Sequence, residues 1–360
     1  MGYYSRSFFV KKNNLKNTLK HLILGPCSAE TREQVLETAN QLSKVDEITM
    51  FRAGIWKPRT SPGSFEGIGE EGLFWLEEVQ EKFGLKTTTE VATPKHVELC
   101  LKHNVDALWI GARTTVNPFY VQEIANSLKG IDIPVFIKNP ISPDVGLWIG
   151  AIERFKKAGI KNISVIHRGF YSYNKGIYRN APMWEIPVKL KTQFPDLDII
   201  CDPSHIAGDS RLITEVSKLA VHYGMNGLMI ETHPNPSEAW SDAKQQVTPD
   251  DLKLIVKELV DNKLVEIYKD EELSLLRKEI NASDEILLQE IAKRLEIVKK
   301  IAGLKKDNSA KVFQLERWKL VLEEVKKKAI ELNLNESFIE DLMNVIHKES
   351  LNIHHKIYKS

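Results

Sequence analysis

Cysteine is scarce in this chain: Cys27, Cys100 and Cys201 are the only three in 360 residues. They are too few and too widely spaced for a secreted disulfide framework. Neither sign of charge is in excess, with 50 basic side chains against 49 acidic. That removes the global basic field of an electrostatic nucleic-acid binder. No apolar run approaches the roughly 20 residues that span a bilayer. Near the N-terminus, Phe8, Phe9 and Val10 lie between Arg6 and Lys11, a stretch too short for a secretion signal. These absences lead us to expect a soluble cytoplasmic protein without nucleic-acid or membrane partners, long enough for about two domains.

A further absence divides the chain. No proline follows Pro249, and Gly303 is the sole glycine beyond it. Leucines and isoleucines then recur at helical spacing over Asp270–Lys306 (Leu273, Leu276, Ile280, Leu287, Leu288, Ile291, Leu295, Val298) on a charged background. Two shorter helical stretches follow, at about Lys311–Leu332 and Glu336–Lys356. The expected organisation is a first domain over 1–262, a linker over 263–270 and an all-α domain over 271–360.

The first domain has the opposite texture. Short β-rich runs alternate with amphipathic stretches: His21–Leu24, Ile48–Arg52, Lys86–Val91, Ala107–Ile110, Pro134–Ile137, Asn162–Ile166, Asp198–Cys201 and Gly227–Ile230. Eight β–α alternations in about 250 residues predict an α/β fold of the (β/α)8 TIM-barrel type. A doubly wound open sheet is the alternative, but no G-x-G-x-x-G follows the first strand.

Chemistry in such barrels lies at the C-terminal mouth, so the residues just after each strand are the informative ones. They are Cys27 in GPCSAE, Arg52, Lys57 and Arg59 in FRAGIWKPRTSP, Glu90, Arg113 in GARTTVNP, and Lys138 in IKNP. His167 and Arg168 in HRGF, Asp202 and His205 in DPSH, and Glu231 in IETHPNP complete the series. Rim charge alone is the bland explanation; charge at essentially every strand end of a neutral domain points to a polyanionic substrate. Arg52, Lys57, Arg59, Arg113, Lys138 and Arg168 exceed the needs of one phosphate, which suggests two phosphorylated substrates, or one phosphate plus a carboxylate. Cys27, His205, Glu231 and Asp242 combine a thiolate, an imidazole and two carboxylates, a set suited to Mn, Fe, Co or Zn rather than to magnesium or calcium. Cys27 alone would read as a small buried residue, and Cys100 and Cys201 keep that reading.

Taken in order, GPCSAE, KPRTSP, GARTT, IKNP, HRG, DPSH and IETHPNP resemble the 3-deoxy-D-arabino-heptulosonate 7-phosphate (DAHP) synthases, over about residues 20–260. The resemblance implies that Cys27, His205, Glu231 and Asp242 bind an essential divalent metal ion, Mn2+ ahead of Fe2+, Co2+ or Zn2+. It implies that Arg52, Lys57, Arg113, Lys138 and Arg168 hold phosphoenolpyruvate, and that Arg59 and Thr60 hold erythrose 4-phosphate. The implied reaction joins C3 of phosphoenolpyruvate to the aldehyde of erythrose 4-phosphate, adds water at C2 and releases phosphate. Lys57 or a water on the metal would move the proton, with Glu90 positioning water. The octulosonate 8-phosphate synthases share this barrel, but the KPRT motif favours the four-carbon aldose phosphate.

The tail is, in the bland reading, a charged helical dimerisation appendage. Its face geometry argues for more. Arg294 and Lys305 stand 11 residues apart and so lie within roughly 20° on one helix. Gln314 and Arg317 share a face, as do Ser350 and His354, whereas Arg277 is roughly 100° from Arg294. The run LLRKEINASDEILLQEIAKRLEIVKKIAGLKK followed by QLERW resembles the all-helical chorismate mutases, over about 270–360. This implies a three-helix mutase domain forming an intertwined homodimer, or a homotetramer built on it. Arg277 would reach the neighbour's site, while Arg294, Lys305 and Arg317 clamp chorismate within one chain. Gln314 and Ser350 would contact substrate, and Lys305 would donate to the ether oxygen. His354 departs from the family, many members of which carry Gln there; a neutral imidazole can still donate. An alternative makes the tail mainly a prephenate- or chorismate-sensing module that regulates the synthase. Residues 1–20 are too few for a regulatory domain, so prephenate feedback through the tail is expected.

Overall fold

The computed structural model describes residues 19–58, 63–173, 176–261, 271–308, 311 and 313–359. Chain contacts divide the protein into two compact units, Met1–Leu264 and Val265–Ser360. The 263–270 linker expected from sequence, and Arg59 and Thr60, lie outside the described residues.

The first unit is a closed barrel of eight parallel strands in sequential order. They are β1 (His21–Gly25), β2 (Met50–Arg52), β3 (Thr87–Val91), β4 (Ala107–Ile110), β5 (Val135–Lys138), β6 (Ile163–His167), β7 (Asp198–Cys201) and β8 (Gly227–Glu231). Closure is made by β1 on β8, in register from His21↔Gly227 to Gly25↔Glu231. Between strands run α1 (Arg32–Leu42), α2 (Glu71–Phe83), α3 (Pro94–Lys102), the short α4 (Ala112–Thr115), α5 (Pro118–Ser127), α6 (Val145–Lys157), α7 (Glu185–Gln193), the short α8 (Pro203–Ala207) and α9 (Ile213–His222); α10 (Pro249–Asp261) follows β8. Thr93, Asn117 and Asp202 each cap a helix through a side-chain oxygen, with proline in the first turn. A proline there gives up only an amide that the helix cannot use.

Side-chain parity decides what reaches the mouth. Ile23, Met50, Ala107, Trp109, Phe136, Ile166, Ile200 and Met229 form the core inside the barrel. Since strand side chains alternate, the residue two positions later faces inward again, one layer nearer the mouth. Met50 thus leads to Arg52, Phe136 to Lys138, Ile166 to Arg168, Ile200 to Asp202 and Met229 to Glu231. The opposite parity, for example Leu22 and Leu24 on β1 or Val135 and Ile137 on β5, packs in the larger core shared with the helices.

Among the described residues, the second unit has three helices: α11 (Glu271–Asp307), α12 (Leu315–Glu331) and α13 (Glu336–Lys359). The sequence pattern places the start of α12 near Lys311; the structure starts it at Leu315, because Gln314 keeps an extended backbone (φ −124°, ψ 96°) as the cap residue. Val298, Ala302, Ala329 and Ile353 are buried within this unit. Leu275, Leu276, Ile280, Leu287 and Leu288 on α11 remain exposed in the single chain. Among the described residues, no helix is long and apolar enough to cross a membrane.

Candidate active sites

At the barrel mouth, Cys27, Glu231 and Asp242 bring one donor atom each to within 4.8 Å of the others. The pieces come from different elements: Cys27 from the loop after β1, Glu231 from the end of β8 and Asp242 from the segment beyond it. Cys27 Sγ lies 3.4 Å from Asp242 Oδ2. His205, on α8, stands beside this group without completing it: its Nδ1 is 3.8 Å from Glu231 Oε1 and 2.8 Å from Asp202 Oδ2. Glu231 Oε1 and His205 Nδ1 are buried, the first facing the Arg52 guanidinium at 3.1 Å and the second Asp202 Oδ2 at 2.8 Å. Gathering a thiol and two carboxylates in a buried site is costly for their ionised forms, and a cation ligated there would offset that cost. A thiol, two carboxylates and a flanking imidazole therefore fit a borderline divalent metal.

The cations sort into two layers. Arg52 is buried beneath the mouth, its guanidinium 3.1 Å from Glu231 Oε1 and 4.9 Å from the centre of the Trp109 ring. Lys57 Nζ donates to the Cys27 carbonyl and lies 3.0 Å from Cys27 Sγ. Lys138 Nζ donates to Asp202 Oδ2 at 2.9 Å. Lys57 and Lys138, but not Arg52, also line a cavity of about 100 Å³, together with Glu90, Arg113, Arg168, Arg179, His205, Asp242, Pro58 and Ala112. Arg168 donates to Asn180 Oδ1 at 2.9 Å. Glu90 Oε2 accepts from the Trp109 indole at 2.9 Å. A Cβ at Gly111 would come within 2.0 Å of Glu90 Oε1, so a larger residue there would displace this carboxylate.

Electrostatics follow from this packing. Burial pushes the Cys27 thiol up to about 11, and Glu231 adds to the shift against the pull of Lys57. Burial also opposes ionisation of Asp242, but His205, Arg179 and Lys57 overcome it and hold the carboxyl below its usual range. Burial lowers the Arg168 guanidinium to about 10. Cys100 and Cys201 are buried in the core.

Sequence reasoning missed Arg179, which donates to Asp242 Oδ1 at 2.9 Å. It follows no strand, so neither strand-end position nor the motifs marked it. Gln245 and Gln246 were missed for the same reason.

In the helical unit, a cavity of about 160 Å³ is lined by Arg294, Lys305, Gln314, Arg317, Ser350 and His354, together with His347, Trp318, Phe313 and four aliphatic residues. Arg294 donates to Ser350 Oγ at 3.1 Å. His347, also overlooked from sequence, stacks on Trp318 with ring centres 3.9 Å and planes 15° apart. It lies seven residues before His354, two helical turns away on the same face of α13. Arg277 is exposed on α11 and is not among the residues lining this cavity. Burial lowers the imidazoles of His347 and His354, with Arg294 acting on the first and Lys305 on the second.

A closed (β/α)8 barrel with a ring of cations over a thiol–carboxylate cluster defines an enzyme of small polyanionic substrates, and here it is joined to a helical unit with its own cationic cavity. Residues 14–265 match the family model described as the DAHP synthetase I family, and residues 276–355 match that of chorismate mutase type II. The chain belongs to the DAHP synthetase I family and carries a C-terminal chorismate mutase type II domain. It is 33% identical over 238 residues to a phospho-2-dehydro-3-deoxyheptonate aldolase of Thermotoga maritima, covering 66% of this chain and 68% of that one. It is 28% identical over 263 residues to a 2-dehydro-3-deoxyphosphooctonate aldolase of Wolinella succinogenes, covering 66% and 97%. The crystal structure of a DAHP synthase from Thermotoga maritima aligns with a TM-score of 0.62 at 31% identity, over 68% of this chain and 69% of that one. The protein is thus an enzyme of two activities, 3-deoxy-7-phosphoheptulonate synthase and chorismate mutase, both in the shikimate pathway.

Proposed function

We propose that the barrel condenses phosphoenolpyruvate with erythrose 4-phosphate in dependence on a divalent metal held by Cys27, Glu231, Asp242 and His205, with Mn2+ the preferred ion. The observation that carries this is the convergence of three donor atoms within 4.8 Å beside a cationic cavity that Asp242 and His205 line. The metal, when bound, supplies Lewis acidity toward the aldehyde oxygen. Arg113, Lys138 and Arg168 hold the phosphate and carboxylate of phosphoenolpyruvate, and Arg52 supports them from below. Arg59 and Thr60 take the aldose phosphate. Fixing both reactants brings C3 of the enol phosphate onto the aldehyde carbon, and the new alkoxide takes a proton from Lys57. Water positioned by Glu90 adds at the electron-poor C2, returning one proton to Lys57, and the C2–O bond to phosphate then breaks to leave the ketone, the hydroxyl proton going to the departing phosphate. The test is phosphate release from the two substrates by the full chain, before and after chelation. Activity that survives complete metal removal refutes the metal reading.

In the helical unit, Arg294 and Arg317 clamp the carboxylates of chorismate, while Lys305 and His354 donate to the breaking ether bond. The exposed leucines of α11 support an intertwined homodimer, in which Arg277 completes the partner's cavity. Prephenate, the product, is also the feedback ligand of the synthase, because the same cations accept its two carboxylates. A sedimentation measurement of the full chain that finds only monomer at micromolar concentration refutes the dimer.

A further inference from the structure

Three side chains outside the ligand set carry the geometry of the barrel's thiol–carboxylate cluster. Gln245 and Gln246 are almost fully buried, 1% and 2% exposed, between β8 and the loop after β1. A buried primary amide is tolerated only when both its ends are paired. Gln245 Nε2 donates to Glu231 Oε2 at 2.6 Å, and its Oε1 accepts from the Arg179 guanidinium at 2.6 Å. Gln246 Oε1 accepts from the Cys27 backbone N–H at 3.0 Å, and its Nε2 donates to the Ser241 carbonyl at 3.0 Å. Neither amide can be turned over, since a flip would set oxygen against oxygen and amine against donor.

Arg179 closes the arrangement. The same nitrogen that reaches Gln245 also donates to Asp242 Oδ1 at 2.9 Å. Asp242 needs that hold, because its backbone sits in the left-handed region with φ +49°. Arg179 is itself seated by backbone pairing, its N–H donating to the Ala207 carbonyl at 3.1 Å. Gly208 makes room: its φ is +69°, and a Cβ there would lie 2.4 Å from Arg179 Cβ. The glutamines are likewise fixed by main chain, because the Val247 N–H donates to the Glu231 carbonyl at 3.1 Å.

Each carboxylate consequently has one oxygen tied by this brace and the other turned toward the cluster. Glu231 Oε2 and Asp242 Oδ1 are engaged by Gln245 and Arg179; Asp242 Oδ2 faces Cys27 Sγ, and Glu231 Oε1 faces His205 Nδ1 at 3.8 Å and the Arg52 guanidinium at 3.1 Å. We propose that Arg179, Gln245 and Gln246 are positioning residues that hold Cys27, Glu231 and Asp242 in a metal-ready arrangement before the ion binds. This rests on the proposed metal site and adds to it the source of its preorganisation. Outer residues that orient ligands typically govern about 10- to 100-fold of metal affinity.

The test uses the full-length chain stripped of metal and titrated with Co2+, reading the thiolate-to-cobalt charge-transfer band. Gln245→Met and Gln246→Met keep shape and lose the amides; Arg179→Met loses the donor and Arg179→Lys restores a charge. The first three should bind Co2+ about 10- to 100-fold more weakly, with a weakened band, while the melting temperature of the metal-free chain stays near that of the unaltered protein. Arg179→Lys should recover part of the affinity. Unchanged affinity and band in all three, or a fall in metal-free melting temperature with no change in affinity, would overturn the positioning role. Cys27→Ala separates the two ideas: if it keeps the band, the metal site itself has been misplaced, whereas its loss beside unaffected glutamine variants removes the brace alone.

Discussion

The Lys57 ammonium stands 3.0 Å from the Cys27 sulfur, in a site where burial and Glu231 push that thiol up to about 11. Without a stronger cation the sulfur keeps its proton at neutral pH; a ligated metal exchanges that proton for itself. Cys27→Ala should therefore abolish metal-dependent synthase turnover while leaving the mutase of the same preparation intact. Full synthase activity in this variant, after stripping and remetallation, would refute the assignment.

Arg294 donates to Ser350 and lines the helical cavity, where it can serve a substrate carboxylate. Removing one charged donor from such a site costs about 3 kcal/mol, roughly two orders of magnitude in kcat/KM. Arg294→Ala should lose mutase turnover on that scale and retain synthase turnover. His354→Gln should keep turnover, since an amide donates as a neutral imidazole does, and His354→Leu should not. Chorismate consumption followed in the three variants decides the point.

Prephenate should inhibit the synthase of the full chain, and free tyrosine or phenylalanine should do little. Coupling of this kind requires differential affinity for two conformations. Arg294→Ala, which weakens the cavity, should shift the inhibition curve to higher prephenate without changing the uninhibited synthase rate. Equal inhibition in the two proteins would place the effector elsewhere.

His167 gives the barrel an acid limit. Burial lowers its imidazole to about 3, against roughly 6.5 in an unfolded chain. Between those values the unfolded state binds the extra proton, so stability is fully present above about pH 6.5 and is lost as pH falls toward 3. At pH 5 the loss from this one group is on the order of 2 kcal/mol. The ring packs against Phe170 and Trp184, so His167→Phe should fill the space and flatten the dependence. Denaturant midpoints of both proteins at pH 7 and pH 5 supply the comparison.

Much of this molecule is written in local pattern. β4 (Ala107–Ile110) and β7 (Asp198–Cys201) fall where the β-rich runs place them, and the other strands differ by no more than two residues at either end. Parity made the mouth legible as well: a strand that buries Met50, Phe136 or Met229 inside a barrel must bring Arg52, Lys138 and Glu231 to the same interior two residues later. The tail announced its helices by periodicity and by the absence of proline. Only the tertiary structure decided which loops meet. Cys27 lies 215 positions from Asp242 in sequence, and they approach because β1 closes the barrel on β8. Arg179, Gln245 and Gln246 follow no strand and belong to no periodic face, so their pairing with Asp242, Glu231 and Cys27 exists only once closure stacks those segments. His347 is similar: a histidine on α13 becomes part of a cavity only when Trp318 of α12 packs flat against it. Periodicity fixes which way a side chain points, because that is a property of its own backbone; what it points at is set by long-range closure, which no local spacing encodes.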